Sequence, residues 1–139
     1  MNQVNKAIAN IKEMMNAKRL DYLLLDQVVR TNWPGDDRPY NIREIEFDRE
    51  KDILYAHQRW DQEQTCFQVD HFDDEVVAQI EKEVERSMSM LKWFRVHYEG
   101  TALVQATNPS NVSKTVKYHY PDLCNSSITI KGNPEEVDN

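Results

Sequence analysis

Glu44, Glu46, Tyr55, His57, Arg59, Gln68 and Asp70 are the residues whose types and spacing carry the most chemistry in this chain. They fall in three short stretches, 42–48, 53–60 and 65–72, that alternate polar and apolar residues and are separated by charged turns at 49–52 and 61–64. Folding both turns symmetrically sets Asp48 against Ile53 and Trp60 against Thr65. In that register Glu44, His57 and Gln68 form one row across three strands, and Glu46, Tyr55 and Asp70 form the next. Arg59 and Cys66 share the face. A carboxylate beside an imidazole orients the ring and supports its charged form, which a metal site or a general acid–base pair requires. A sheet with one solvated face needs polar residues in any case, and opposite charges across strands are ordinary sheet chemistry. The simpler explanation is kept, so the row is a candidate binding face with no catalytic residue, metal or cofactor assigned.

Other chemistry is sparse. His71, His97 and His119 have no second histidine or cysteine at ligand spacing. Cys66 lies near Arg59 in the expected register, and a cationic neighbour lowers a thiol pKa, but no histidine is placed to act as its base. With three glycines the chain offers no phosphate-cradling loop and no nucleophile elbow. Asp74, Glu81 and Glu85 line one side of a helix and suggest an acidic surface that mimics a phosphate backbone, although Lys82 and Arg86 interrupt it.

The elements that position these residues can be read from periodicity. The opposite face of the meander carries Ile45, Phe47, Leu54, Ala56, Trp60, Phe67 and Val69, and a slip of one residue would reverse the faces of a strand. Val77, Ile80, Val84, Ser87, Leu91, Phe94 and Tyr98 recur at steps of three and four, which predicts one long helix over 73–100. Asp73 suits its N-cap, Phe72 and Val77 stand at staple spacing, Lys92, Arg95 and His97 suit its negative end, and Gly100 suits its stop. The competing reading ends this helix near Lys92 and makes Phe94, Val96 and Tyr98 a strand.

Val4, Ile8, Ile11 and Met15 predict a helix over 3–17. Residues 18–30 fit either a second helix or a buried strand, and two prolines and a glycine at 34–39 stop regular structure. After Gly100 three more strands are expected, around 102–106, 116–120 and 128–130, and 132–139 reads as a frayed, disordered tail.

Of the 139 residues 24 are acidic and 17 basic, and the net charge of −7 argues against direct binding of nucleic acid or of an anionic membrane. Two cysteines are too few for a disulfide framework, and no signal peptide or membrane-length apolar run is visible, so the cytoplasm is expected. The fold class expected is α+β: an antiparallel sheet, the meander plus about three strands, with an N-terminal helix and one long central helix on one face, in a single domain over 1–131. The layout is similar to that of small acidic secretion chaperones, in order of elements alone. The function expected is a small acidic cytoplasmic protein-interaction module, an inhibitor, adaptor or chaperone-like protein that binds another protein or forms a homodimer. The alternatives are a mobile-element inhibitor of a nucleic-acid enzyme that uses its acidic surface, and a metal-dependent enzyme or ligand-binding protein using the polar face.

Overall fold

The structure is a computed structural model that describes residues 3–32, 39–60, 63–97, 101–112, 114–115 and 134–137, with the backbone alone described at 3, 39, 59, 60, 63–65, 101 and 102. It is an α+β fold, with two helices and two antiparallel sheets of four and three strands among the described residues. The chain divides into two compact units, residues 1–88 and 89–139.

In the first unit α1 (Gln3–Ala17) forms where the apolar period predicts it, with Ile11 and Met15 fully buried. It ends without a glycine. Arg19 takes a left-handed φ of 56°, the Arg19 N–H donates to the Asn16 carbonyl at 3.1 Å, and the Leu20 N–H reaches back to the Met15 carbonyl at 2.9 Å. This is the pattern that closes a helix and satisfies its last carbonyls, with buried Leu20 and Met15 as its apolar pair. Arg49 holds the same corner. Its Nε donates to Asn16 Oδ1 at 2.9 Å, another nitrogen donates to the Leu20 carbonyl at 2.8 Å, and it pairs with Asp21.

The undecided residues beyond α1 form strand β1 (Tyr22–Asn32). It joins β2 (Pro39–Asp48), β3 (Ile53–Trp60) and β4 (Glu63–Gln68) in the order β1-β2-β3-β4, all antiparallel. The meander therefore gains a strand on its N-terminal side, the strand alternative for residues 18–30. Leu23, Ile45 and Ala56 are buried in one row across three strands, and Lys12 of α1 stands over the Phe47 ring, so α1 covers the apolar face as expected. The β1–β2 register breaks between Leu24 and Val29.

Helix α2 (Asp74–Ser89) starts immediately after Asp73, and the Val77 N–H donates to the Asp73 carbonyl at 3.0 Å. Its stripe of Val77, Ile80, Val84 and Ser87 is buried. The helix does not run to Gly100. Lys92–His97 is strand β5, so the shorter reading holds. Phe94 and Val96 satisfy both a helical and an alternating pattern, and their aromatic and β-branched shapes suit a pleated surface where cross-strand partners exist.

In the second unit β5 pairs with β6 (Thr101–Ala106) on one side and with β7 (Glu135–Val137) on the other. Phe94, Val96, Val104, Ala106 and Val112 form its core. Strand β7 lies in the stretch expected to fray. The strands expected at 116–120 and 128–130 fall outside the described residues. Among the described residues no helix is long and apolar enough to cross a membrane.

Candidate functional site

The first hairpin folds as its symmetric turn requires. Asp48 faces Ile53, so Glu46 faces Tyr55 and Glu44 faces His57. The second hairpin is tighter than expected: Trp60 pairs with Glu63, leaving 61 and 62 between the strands, and each β4 residue slides by two. An even slip preserves the faces of a strand. Cys66, rather than Gln68, therefore stands opposite His57, and Gln68 stands opposite Tyr55. Arg59 pairs with Gln64 along the backbone, and its side chain is outside the described set.

Asp70 leaves the row altogether. Strand β4 ends at Gln68, and Val69–His71 is a tight helical turn closed by the Phe72 N–H on the Val69 carbonyl at 3.2 Å. Asp70 is exposed there, 3.9 Å from His71 Nε2, and lines a cavity of about 160 Å³ with Lys12 and Asp52. The expected Glu46–Tyr55–Asp70 and Glu44–His57–Gln68 rows are thus replaced by Glu46–Tyr55–Gln68 and Glu44–His57–Cys66.

Burial corrects the reading of this face as a solvated one. Glu44 is 0% and His57 4% exposed, while Glu46, Tyr55 and Gln68 are half-buried. Charged groups leave water only where neighbours offset the loss of hydration. His57 Nε2 lies 2.7 Å from Glu46 Oε1, a contact short enough to be a charge-assisted hydrogen bond when the ring carries its second proton. Cys66 Sγ lies 3.9 Å from the same ring nitrogen.

The thiol departs from the sequence expectation. Cys66 is an exposed residue, yet its sulfur is shielded enough for burial to push its pKa above the ordinary value, and the carboxylates of Glu46 and Glu44 push in the same direction. Loss of hydration and nearby negative charge both disfavour a thiolate. Cys66 is therefore a protonated thiol at neutral pH and not an activated nucleophile.

The acidic residues of α2 are partly engaged. Asn10 Nδ2 of α1 donates to Glu81 Oε2 at 2.9 Å and to Glu85 Oε1 at 3.2 Å, and Asp74 is exposed in the first turn. Lys92, Arg95 and His97 are the residues whose role the sequence missed. Instead of complementing a helix end they lie along β5, where Arg95 and His97 reach Glu135 at 3.5 and 3.6 Å and Lys92 reaches Glu136 at 3.3 Å. Alternation across 92–97 was the available signal.

Comparison of the chain with family models, curated proteins and solved structures finds no match in any of the three.

Proposed function

We propose that the protein is a small acidic interaction module that acts by binding, and that it takes an extended acidic segment of a partner protein onto the edge of β5. Strand β7 supports this reading. It has three residues, reached only after the whole stretch beyond β6, and it sits on β5 through backbone pairing of Trp93 with Val137, Phe94 with Glu136 and Arg95 with Glu135. Addition of a strand to a sheet edge is a common mode of peptide recognition, in which the main chain supplies affinity and side chains supply selectivity. Here the selective groups are Lys92 on one face of β5 and Arg95 and His97 on the other, basic side chains in a chain whose net charge is −7. Each ion pair is exposed and weak by itself, so the pattern Glu-Glu-apolar matters more than any one contact. In this reading β7 is an internal occupant that a partner segment of the same pattern replaces.

The setting that goes with this reading is a reducing cytoplasm, with an inhibitor or adaptor role and no direct contact with nucleic acid. Exchange of β7 between two copies would make a homodimer by the same edge, and light scattering at high micromolar concentration detects it.

A labelled peptide of the sequence 134–138 tests the reading. It should bind the full-length Glu135→Lys, Glu136→Lys variant, in which β7 no longer complements β5, about tenfold more tightly than the unaltered chain. Adding Arg95→Glu should remove that gain. Equal binding by all three proteins, or none to any of them, contradicts the reading.

A further inference from the structure

Three donors of three chemical kinds meet on neighbouring strands of the first sheet. Glu46 comes from β2, His57 from β3 and Cys66 from β4, and one carboxylate oxygen, one ring nitrogen and one sulfur lie within 4.8 Å of one another. The strand register brings them together. Cys66 is directly opposite His57, and Glu46 is two residues along β2 from Glu44, the residue opposite His57 on the other side. Direct and diagonal neighbours on one face of an antiparallel sheet are within side-chain reach.

Their separations suit a small ion. Zinc holds a ring nitrogen or a carboxylate oxygen at about 2.0–2.2 Å and a thiolate sulfur at about 2.3 Å, so tetrahedral ligand atoms stand roughly 3.3–3.8 Å apart. His57 Nε2 is now 2.7 Å from Glu46 Oε1 and 3.9 Å from Cys66 Sγ. Side-chain rotation alone would open the first pair and draw in the widest separation by roughly 1 Å. Exposure is graded across the three donors: the His57 side chain is only 5% exposed, Glu46 is 24% exposed, and Cys66 is the outer member.

The donor set also selects the ion. A thiolate is a poor ligand for magnesium or calcium, which prefer oxygen, whereas nitrogen, oxygen and sulfur together suit zinc and cobalt.

We propose that Glu46 Oε1, His57 Nε2 and Cys66 Sγ bind a zinc-class divalent ion, leaving one coordination position for water or an incoming donor. Binding releases the Cys66 proton and ties β2, β3 and β4 together, so it stabilises the folded chain. The site lies within residues 1–88 and involves neither β5 nor β7, so it is independent of the strand-accepting edge.

Cobalt(II) is the probe, added to reduced, chelator-stripped full-length protein carrying Cys124→Ser so that one thiol remains. The expected result is one equivalent bound, a sulfur-to-cobalt charge-transfer band, tetrahedral d–d bands, and displacement by zinc with a rise in melting temperature. Cys66→Ser should abolish the charge-transfer band and weaken binding at least about tenfold, and Glu46→Gln should weaken binding with the band retained. Cys66 is exposed, so its replacement leaves the fold intact, and the far-ultraviolet circular dichroism of the variant checks this. If that variant unfolds, alkylation of Cys66 in the folded protein serves instead and should likewise abolish the band. Absence of cobalt binding overturns the proposal. So does binding without the sulfur band, or binding that survives loss of the Cys66 thiol unchanged.

Discussion

The backbone N–H of Asp26 donates to Ser87 Oγ at 2.8 Å, which makes the one polar position in the apolar stripe of α2 an anchor for strand β1. Beside it the Gln27 N–H donates to Glu83 Oε1 at 2.7 Å, and the Ser87 hydroxyl donates to the same carboxylate oxygen at 3.2 Å. These two amides belong to the stretch where β1 falls out of register with β2. An amide that loses its sheet partner needs another acceptor, and α2 supplies two.

Replacing Ser87 by alanine should therefore destabilise the first unit, although it makes the stripe more uniformly apolar. The loss expected is about 0.5–1.5 kcal/mol, the net worth of one part-buried hydrogen bond. Urea unfolding followed by circular dichroism measures it. An unchanged or raised midpoint would show that Ser87 is only a tolerated small residue.

The sequence carried much of this architecture because alternating and helical periods are local signals. Glu44, His57 and Cys66 share one face and Ile45, Ala56 and Phe67 the other, as expected, even though the second hairpin slid by two, since an even slip conserves face. The identity of the residue opposite His57 was not legible, because it depends on whether the turn after Trp60 spans two residues or four. The end of α2 was ambiguous for a related reason: Leu91, Phe94 and Tyr98 continue a helical period while Phe94 and Val96 alternate, and only pairing with β6 and β7 decides between them. The break in β1 had no sequence mark beyond Ser87, whose polarity was a clue that looked like an imperfection. The burial of Glu44 and His57 was invisible to periodicity, which separates faces but does not say what lies against them.

Arg19 offers a second test of local physics. A side chain at φ 56° carries a steric cost that glycine avoids, so Arg19→Gly should raise stability by about 1 kcal/mol. Thermal unfolding at moderate salt reads the change. A fall in the midpoint would mean that the arginine side chain contributes more than its backbone strain costs.

Cys66 should react slowly for an exposed cysteine. Its pKa is raised first by burial and then by Glu46 and Glu44, so at about pH 8 less of it is thiolate than in an unfolded chain. In chelator-stripped protein carrying Cys124→Ser, alkylation by iodoacetamide should lag behind the same protein in denaturant and catch up as pH rises. The folded state holds this proton more tightly than the unfolded state, so the contribution is full below the ordinary thiol range and is lost as pH rises through the folded value. Alkylation as fast as in the unfolded chain would contradict a thiol pKa raised by burial and by the charges of Glu46 and Glu44.

The most direct measurement of the strand-accepting edge is a nuclear magnetic resonance titration of the labelled full-length Glu135→Lys, Glu136→Lys variant with the peptide 134–138. Amide resonances of Lys92–His97 should move in a saturable way, with those of β1 to β4 unmoved, and Arg95→Glu should suppress the movement. Saturable shifts confined to other strands, or no shifts at all, would contradict binding at the β5 edge.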